Sequence, residues 1–183
     1  HTGMRLQQCL WTRILKMLNK YFVLIFDLDD TLYQRYGVVG DDYSGLENIR
    51  LYSGVRELLE RKEVKKVLVS KGEPLIQFKK LELLGIKNSF DLILICSTDE
   101  EKKDCFMQVK EKFPGYEFWV IGDRINSEIR WGKALGMKTV LIRQGKYASL
   151  MPKDGEEVPD MELKSFQELF SVLDLNIKQE NGA

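Results

Sequence analysis

The stretch Phe22-Val23-Leu24-Ile25-Phe26-Asp27-Leu28-Asp29-Asp30-Thr31-Leu32 decides the fold. Five apolar residues in unbroken succession read as a strand buried on both faces, the pattern of a parallel sheet. The run ends abruptly in carboxylates. Ligands on open parallel sheets bind outside the C-terminal ends of the strands, so this acidic cluster is a candidate site. Asp27 and Asp29, two residues apart, should project to similar sides of an extended chain. Like charges that close are costly unless a cation or a shared proton lies between them. Mg²⁺, a hard ion held by one or two carboxylates plus phosphate and water, is the cation the pattern suggests. The plain alternative is a polar turn in which Asp30 or Thr31 caps a helix.

Working outward, similar apolar runs recur at Val67–Val69, Leu92–Cys96, Phe118–Ile121 and Thr139–Ile142. Helical patterns lie between them at about 54–62, 74–84, 100–113 and 126–135, with Gly85 and Gly136 placed where the second and fourth should end. Strands alternating with helices predict an α/β fold: a doubly wound, mostly parallel, five-stranded Rossmann-like sheet. Residues 144–163 hold Gly145, Pro152, Gly155 and Pro159 and read as loop, and Ser165–Leu175 reads as a last helix. The core should span 21–176, with 177–183 fraying. In residues 1–20, Leu6, Leu10, Ile14, Met17 and Leu18 form a helical stripe, with Arg5, Arg13, Lys16 and Lys20 off it. This predicts an extra N-terminal amphipathic helix packed on the domain; an organelle presequence is the lesser alternative. Residues 1–3 precede Met4 and carry no fold signal.

Composition narrows the chemistry. The 183 residues suit one domain with a core of its own. Twenty-eight Lys and Arg balance 28 Asp and Glu, so no nucleic-acid partner is expected. The single histidine, His1, at the extreme N-terminus, argues against a Ser-His-Asp triad, a Cys-His dyad and multi-histidine zinc sites. Cys9, Cys96 and Cys105 are widely spaced and form no disulfide framework, which fits a reducing, cytoplasmic setting. No apolar run approaches the ~20 residues of a membrane span. Chemistry must come from carboxylates, hydroxyls and lysines.

The other strand ends supply these groups. The second delivers Ser70-Lys71-Gly72, whose hydroxyl could bond a phosphate oxygen or simply form a turn. The third leads to Thr98-Asp99-Glu100-Glu101-Lys102-Lys103, where lysines in a first helical turn oppose the dipole, unless the run is just a solvated face. The fourth delivers Gly122-Asp123-Arg124, with Glu128 five residues past Asp123, which could ligate metal or cap a helix.

Taken in order, Asp-x-Asp-x-Thr, Ser, Lys and Gly-Asp-x-x-x-x-Glu resemble the haloacid dehalogenase (HAD) superfamily of phosphatases, over roughly residues 21–147. Gly132–Val140 is similar to the family's small-residue helix leading into its fifth strand. The resemblance implies a Mg²⁺-dependent phosphomonoester hydrolase working through an aspartyl-phosphate. Asp27 would be the nucleophile and Asp29 the general acid/base. Ser70 and a lysine would hold the phosphoryl group. Asp27, the Asp29 backbone carbonyl and Asp123 would ligate Mg²⁺, with Glu128 supporting.

The match departs from the family pattern in places. No proline follows the lysine, so Lys102 and Lys103 compete, and the four-residue step from Lys102 to Phe106 favours Lys102. Glu128 stands where Asp is more usual. Asp29 favours a phosphate ester over a carbon–halogen or carbon–phosphorus bond. Too few residues lie between Leu32 and Ser53, or between Gly72 and Lys102, for a full cap. A capless or minimally capped core implies an open site for phosphorylated substrates, macromolecular ones included, or a lid from a second subunit. Tyr33, Tyr36, Tyr43 and Tyr52 either line the entrance or cover the domain edge. Two rival readings are a catalytically silent HAD-like binding module and a receiver-like phospho-acceptor domain with Asp99 as acceptor.

Overall fold

The computed structural model describes residues 21–181, and the side chains of 21–174; the helix expected over 1–20 lies outside the described residues. The first apolar run forms β1 (Phe22–Phe26), with every side chain buried. Burying each such side chain contributes about 1.5–3 kcal/mol, and a run apolar on both faces collects this from two layers at once. Phe22, Leu24 and Phe26 enter one core and Val23 and Ile25 the other.

Around it stand β2 (Lys65–Lys71), β3 (Leu92–Cys96), β4 (Glu117–Gly122), β5 (Lys138–Ile142) and β6 (Met161–Leu163). The sheet order is β3-β2-β1-β4-β5-β6, and all five pairings are parallel. This is the Rossmann order, and its reversal point lies between β1 and β4, where a binding crevice opens. Receiver domains order their strands 2-1-3-4-5, so the receiver-like reading falls on topology.

The sheet has six strands where the sequence reading gives five. The sixth falls inside 144–163, read as loop. Three residues at a sheet edge, with Glu162 in the middle and Pro159 just before, give too short a period-2 pattern to register. Likewise β2 starts two residues before Val67, because Lys65 and Lys66 pair with Val23 and Leu24. Lys66 buries its stem, and its ammonium escapes to the Arg61 carbonyl.

Helices cover both faces. The α1 (Val55–Leu59), α2 (Pro74–Leu83) and α5 (Phe166–Asn181) helices pack on one face through Leu58, Leu81 and Leu169. The α3 (Asp99–Lys112) and α4 (Arg130–Ala134) helices cover the other, with Phe106 and Val109 in its core. The helix expected over 126–135 is in fact a π-helical turn, Ile125–Ile129, followed by α4. The α5 helix continues past Leu175 into the segment expected to fray. Between β1 and α1 the only helical piece is a 3₁₀ turn, Leu46–Asn48, and between β2 and β3 only α2 and a second such turn intervene. The cap is accordingly small. Among the described residues no helix is long and apolar enough to cross a membrane.

Candidate active site

The two carboxylates of the Asp-x-Asp pair take different surroundings. The backbone leaves the strand at once: Asp30 adopts φ 57°, the Leu28 carbonyl accepts the Leu32 N–H at 3.0 Å, and Asp29 bridges to Tyr33. Asp27 therefore meets α3, and Asp29 meets α2 on the opposite face of the sheet. This corrects the expectation that the pair projects to similar sides, which holds only while the chain stays extended.

Asp27 accepts a hydrogen bond from Lys102 Nζ at 2.7 Å, and Lys102 also bonds Glu128. The Thr31 hydroxyl lies between Asp27 Oδ2 (3.4 Å) and Asp123 Oδ1 (3.1 Å), joining the ends of β1 and β4 across the crevice. Gly122 makes room for this arrangement. A Cβ there would stand 2.5 Å from Glu128 Cγ, so the Gly-Asp-x-x-x-x-Glu pattern needs its glycine for space. The π-helical turn carries Glu128 back onto the Arg124 N–H, with Oε2 accepting at 3.2 Å.

Two buried carboxylates, Asp27 and Glu128, thus share one ammonium, and a third, Asp123, is joined to Asp27 through Thr31. Burial pushes Asp27 up to about 7; Lys102 opposes the rise and Glu128 adds to it. Burial pushes Asp123 up to about 9, helped by Glu128, Asp27 and Asp30. Burial pulls the other way on Lys102, but Asp27 and Glu128 outweigh it and hold the ammonium charged. The cluster carries more negative charge than the protein neutralises. Among the described residues no three acidic, histidine or cysteine side chains cage a metal by themselves. Two carboxylates sharing one hydroxyl nevertheless suit Mg²⁺, which keeps waters and asks for one or two acids. The residues present fit that ion.

Asp29 is compensated differently. Lys80 Nζ donates to its Oδ1 at 2.6 Å, the Tyr33 hydroxyl donates to the same oxygen, and Gln77 Nε2 reaches Oδ2 at 3.0 Å. Burial would raise this carboxyl, but Lys80 and these donors outweigh it and hold it below the ordinary range. Sequence reasoning missed Lys80 and Gln77. Their signal was present: Gln77 lies four residues before Leu81 and Lys80 four before Leu84, polar groups on the buried stripe of a helix.

The remaining expected residues separate. Lys102 enters the site, whereas Lys103 Nζ lies 5.4 Å from the Trp131 ring centroid, outside the acidic cluster. Ser70 is fully buried, and its hydroxyl accepts from Gln77 Nε2 at 2.6 Å. The next residue, Lys71, borders the cavity instead. Asp99 binds Lys71 (2.9 Å), Arg124 (3.3 Å) and Ser127 (3.1 Å). Of the four tyrosines, Tyr33 is buried on Asp29, Tyr52 packs on the core, and Tyr36 and Tyr43 are exposed. None of these borders the cavity; Tyr147 does.

Asp30 fastens the loops at the mouth. Its Oδ1 accepts the Arg35 and Tyr36 N–H groups at 2.8 Å each, and its Oδ2 accepts the Lys146 N–H at 3.4 Å. Gly145 lies against Asp30 so closely, at φ 71°, that a Cβ would collide with it. The resulting cavity is about 220 Å³. Asp27, Asp123, Glu128 and Lys102 are its buried side; Arg35, Lys71, Arg124 and Lys146 stand around it nearer solvent.

A family model of HAD-hydrolase-like proteins matches residues 103–169. A glyceraldehyde 3-phosphate phosphatase of Methanopyrus kandleri is 31% identical over 110 residues, 57% of this chain and 47% of the relative. One from Methanocaldococcus jannaschii is 32% identical over 69% of this chain and 57% of its own length. One from Pyrococcus furiosus is 27% identical over 80% and 62%. The chain thus spans less than two thirds of these relatives. Among solved structures, the magnesium-bound HAD-hydrolase YfnB of Bacillus subtilis superposes with TM-score 0.68 at 17% identity, covering 85% of this chain and all of that one. The L-2-haloacid dehalogenase of Xanthobacter autotrophicus does so with TM-score 0.62 at 14%, covering 83% and 98%. Sheet order, strand-end motifs, family model and relatives agree in likening the chain to the HAD-like hydrolases.

Proposed function

We propose that this protein is a Mg²⁺-dependent phosphomonoester hydrolase that works through an aspartyl-phosphate. The observation that carries the reading is Asp27: a buried carboxylate at the C-terminal end of the central strand, anchored by Lys102 and set beside Asp123 through Thr31. The phosphatase names of the relatives support it. An Asp27 oxygen attacks phosphorus, the ester P–O bond breaks, and the leaving oxygen takes a proton from Asp29. Water then attacks the aspartyl-phosphate, giving its proton back to Asp29 and releasing phosphate with Asp27 regenerated. In the resting arrangement Lys80 and Tyr33 hold Asp29 as an ionised carboxylate, so serving the leaving group requires it to turn away from Lys80, into the cavity it already borders, and take up a proton from solvent there before the first turnover.

Asp27, Asp123 and the Asp29 carbonyl would hold Mg²⁺, with Glu128 steadying them, and the ion supplies positive charge against the phosphoryl oxygens. Lys102 holds a phosphoryl oxygen. Ser70 reaches one only when Gln77 gives way, so Ser70→Ala costs less turnover than loss of Lys102. The small cavity favours a low-molecular-weight ester over the phosphorylated macromolecule that an open mouth would also admit. Buried free thiols at Cys96 and Cys105 fit a reducing, cytoplasmic setting.

The test is phosphate release from an aryl phosphate, with and without Mg²⁺, by wild type and Asp27→Asn. Mg²⁺-dependent release that vanishes in the variant is the expected result. Full activity in Asp27→Asn overturns the assignment. No release, together with no binding of Mg²⁺ or of the phosphate mimic beryllium fluoride, would favour a silent binding module.

A further inference from the structure

The cations around the cavity mouth exceed what the reacting phosphoryl group needs. Lys71 and Arg124 ion-pair with the same carboxylate, Asp99, and the other acid that acts on Arg124, Glu128, is already bonded by Lys102. Lys146 has no acidic partner among the described residues. Arg124 and Lys146 lie against the same ring: the guanidinium carbon is 4.9 Å and the ammonium 5.7 Å from the Tyr147 centroid. Each cation gains from the ring, but two cations on one ring repel each other unless an anion joins them. The Arg124 Nε is buried and has no hydrogen-bond partner, which is costly for a charged group.

This arrangement is built rather than incidental. The backbones of Arg35 and Lys146 are both tied to the Asp30 carboxylate, and Gly145 is pressed against the same residue. Asp30 thereby sets two cation-bearing loops at one mouth. Behind them lies the acidic cluster that the preceding reading gives to Mg²⁺ and the phosphoryl group.

Resting on that reading, we propose that the substrate is a small phosphate ester whose organic part carries a second anionic group, received by Arg124 and Lys146 over Tyr147. A carboxylate or a second phosphate meets the need, since both accept charge-assisted hydrogen bonds from guanidinium and ammonium. Arg124 and Lys146 then discriminate between substrates without taking part in bond making or breaking.

The test uses non-hydrolysable ligands, so that it does not depend on turnover. With Mg²⁺ present, the full chain is titrated calorimetrically with propylphosphonate, 3-phosphonopropionate and propane-1,3-bisphosphonate. The two-ended ligands should bind about tenfold or more tightly than propylphosphonate, an advantage that salt reduces. Which of the two binds tighter tells carboxylate from phosphate. In Lys146→Met and in Arg124→Gln the advantage should fall below about threefold. A wild-type ratio near one, an advantage that survives in both variants, or no binding by any of the three overturns the proposal. Continued Mg²⁺-dependent release from the aryl phosphate alongside such a result would sink only the substrate class; loss of both would remove the phosphatase reading as well.

Discussion

Asp27 and Asp29 stand two residues apart, and each meets a buried lysine from a helix, Lys102 on one face of the sheet and Lys80 on the other. Around Asp29 the charge is met within the protein: the Lys80 ammonium, the Arg35 guanidinium at 3.9 Å and two neutral donors surround one carboxylate, and Lys80 and the donors hold the acid below its ordinary range. Around Asp27 it is not. Lys102 must serve Asp27 and Glu128 together while Asp123 stands beside them, and burial pushes Asp27 and Asp123 well up. A pairing complete within the protein is a fastening. One left short of positive charge invites a cation from outside, and that surplus marks the half of the motif suited to hold Mg²⁺.

The comparison breaks most visibly at the lysines. Lys102→Met should lower turnover of the aryl phosphate by about 10³-fold or more, because it removes a fixed charge from a buried site where charge develops. Steady-state rates at saturating Mg²⁺ check this, and a loss under tenfold would mean that Lys102 only balances charge at rest. Lys80→Met should act chiefly on stability. It leaves Asp29 half-buried with only the more distant Arg35 guanidinium, at a cost of about 1–3 kcal/mol once partial exposure is allowed for. Denaturant unfolding measures that cost. If stability held while turnover vanished, Lys80 would belong to the chemistry and the contrast would fail.

Proton competition sharpens the same contrast. Asp27 and Asp123 are raised, to about 7 and about 9, so below that window both hold protons that Mg²⁺ must displace, and above it neither does. Mg²⁺ should therefore raise the unfolding temperature more at pH 9 than at pH 6, and chelation should remove the difference. An equal shift at both pH values would place the ion elsewhere. The smallest effect belongs to Lys103, whose ammonium lies over the Trp131 ring. Lys103→Met should cost about 0.5–1 kcal/mol of stability with turnover intact, and a large loss of activity would reverse the choice between the two lysines.

The strands that position the site were legible wherever their residues were apolar in succession. The runs Phe22–Phe26 and Leu92–Cys96 are strands over those same residues. The edge strand Met161–Leu163 escaped because three residues with a charged centre carry no periodic signal. Asp27, Lys102, Asp123 and Glu128 come together at the strand ends that the alternating pattern predicts. Ser70 is the exception, since its hydroxyl meets Gln77 on α2 instead of the cavity.

By itself the sequence determined the order of elements, the parallel sheet and the acidic crevice. Hydrophobic periodicity and strand-end position are local properties, and a right-handed alternation of strands and helices leaves few topologies open. Tertiary structure alone decided which partner each carboxylate meets. Lys80 and Lys102 are both lysines on helices, 22 positions apart in the chain. Only the turn at Asp30, which sends Asp27 and Asp29 to lysines on opposite faces, pairs one of them with Asp29 and makes the other part of the acidic cluster. The rim shows the same division: Arg35, Arg124 and Lys146 are distant in sequence and become neighbours because loops from three strand ends converge on Asp30 and Tyr147. Charge balance at a site is a sum over groups brought together by folding, and no single segment carries that sum.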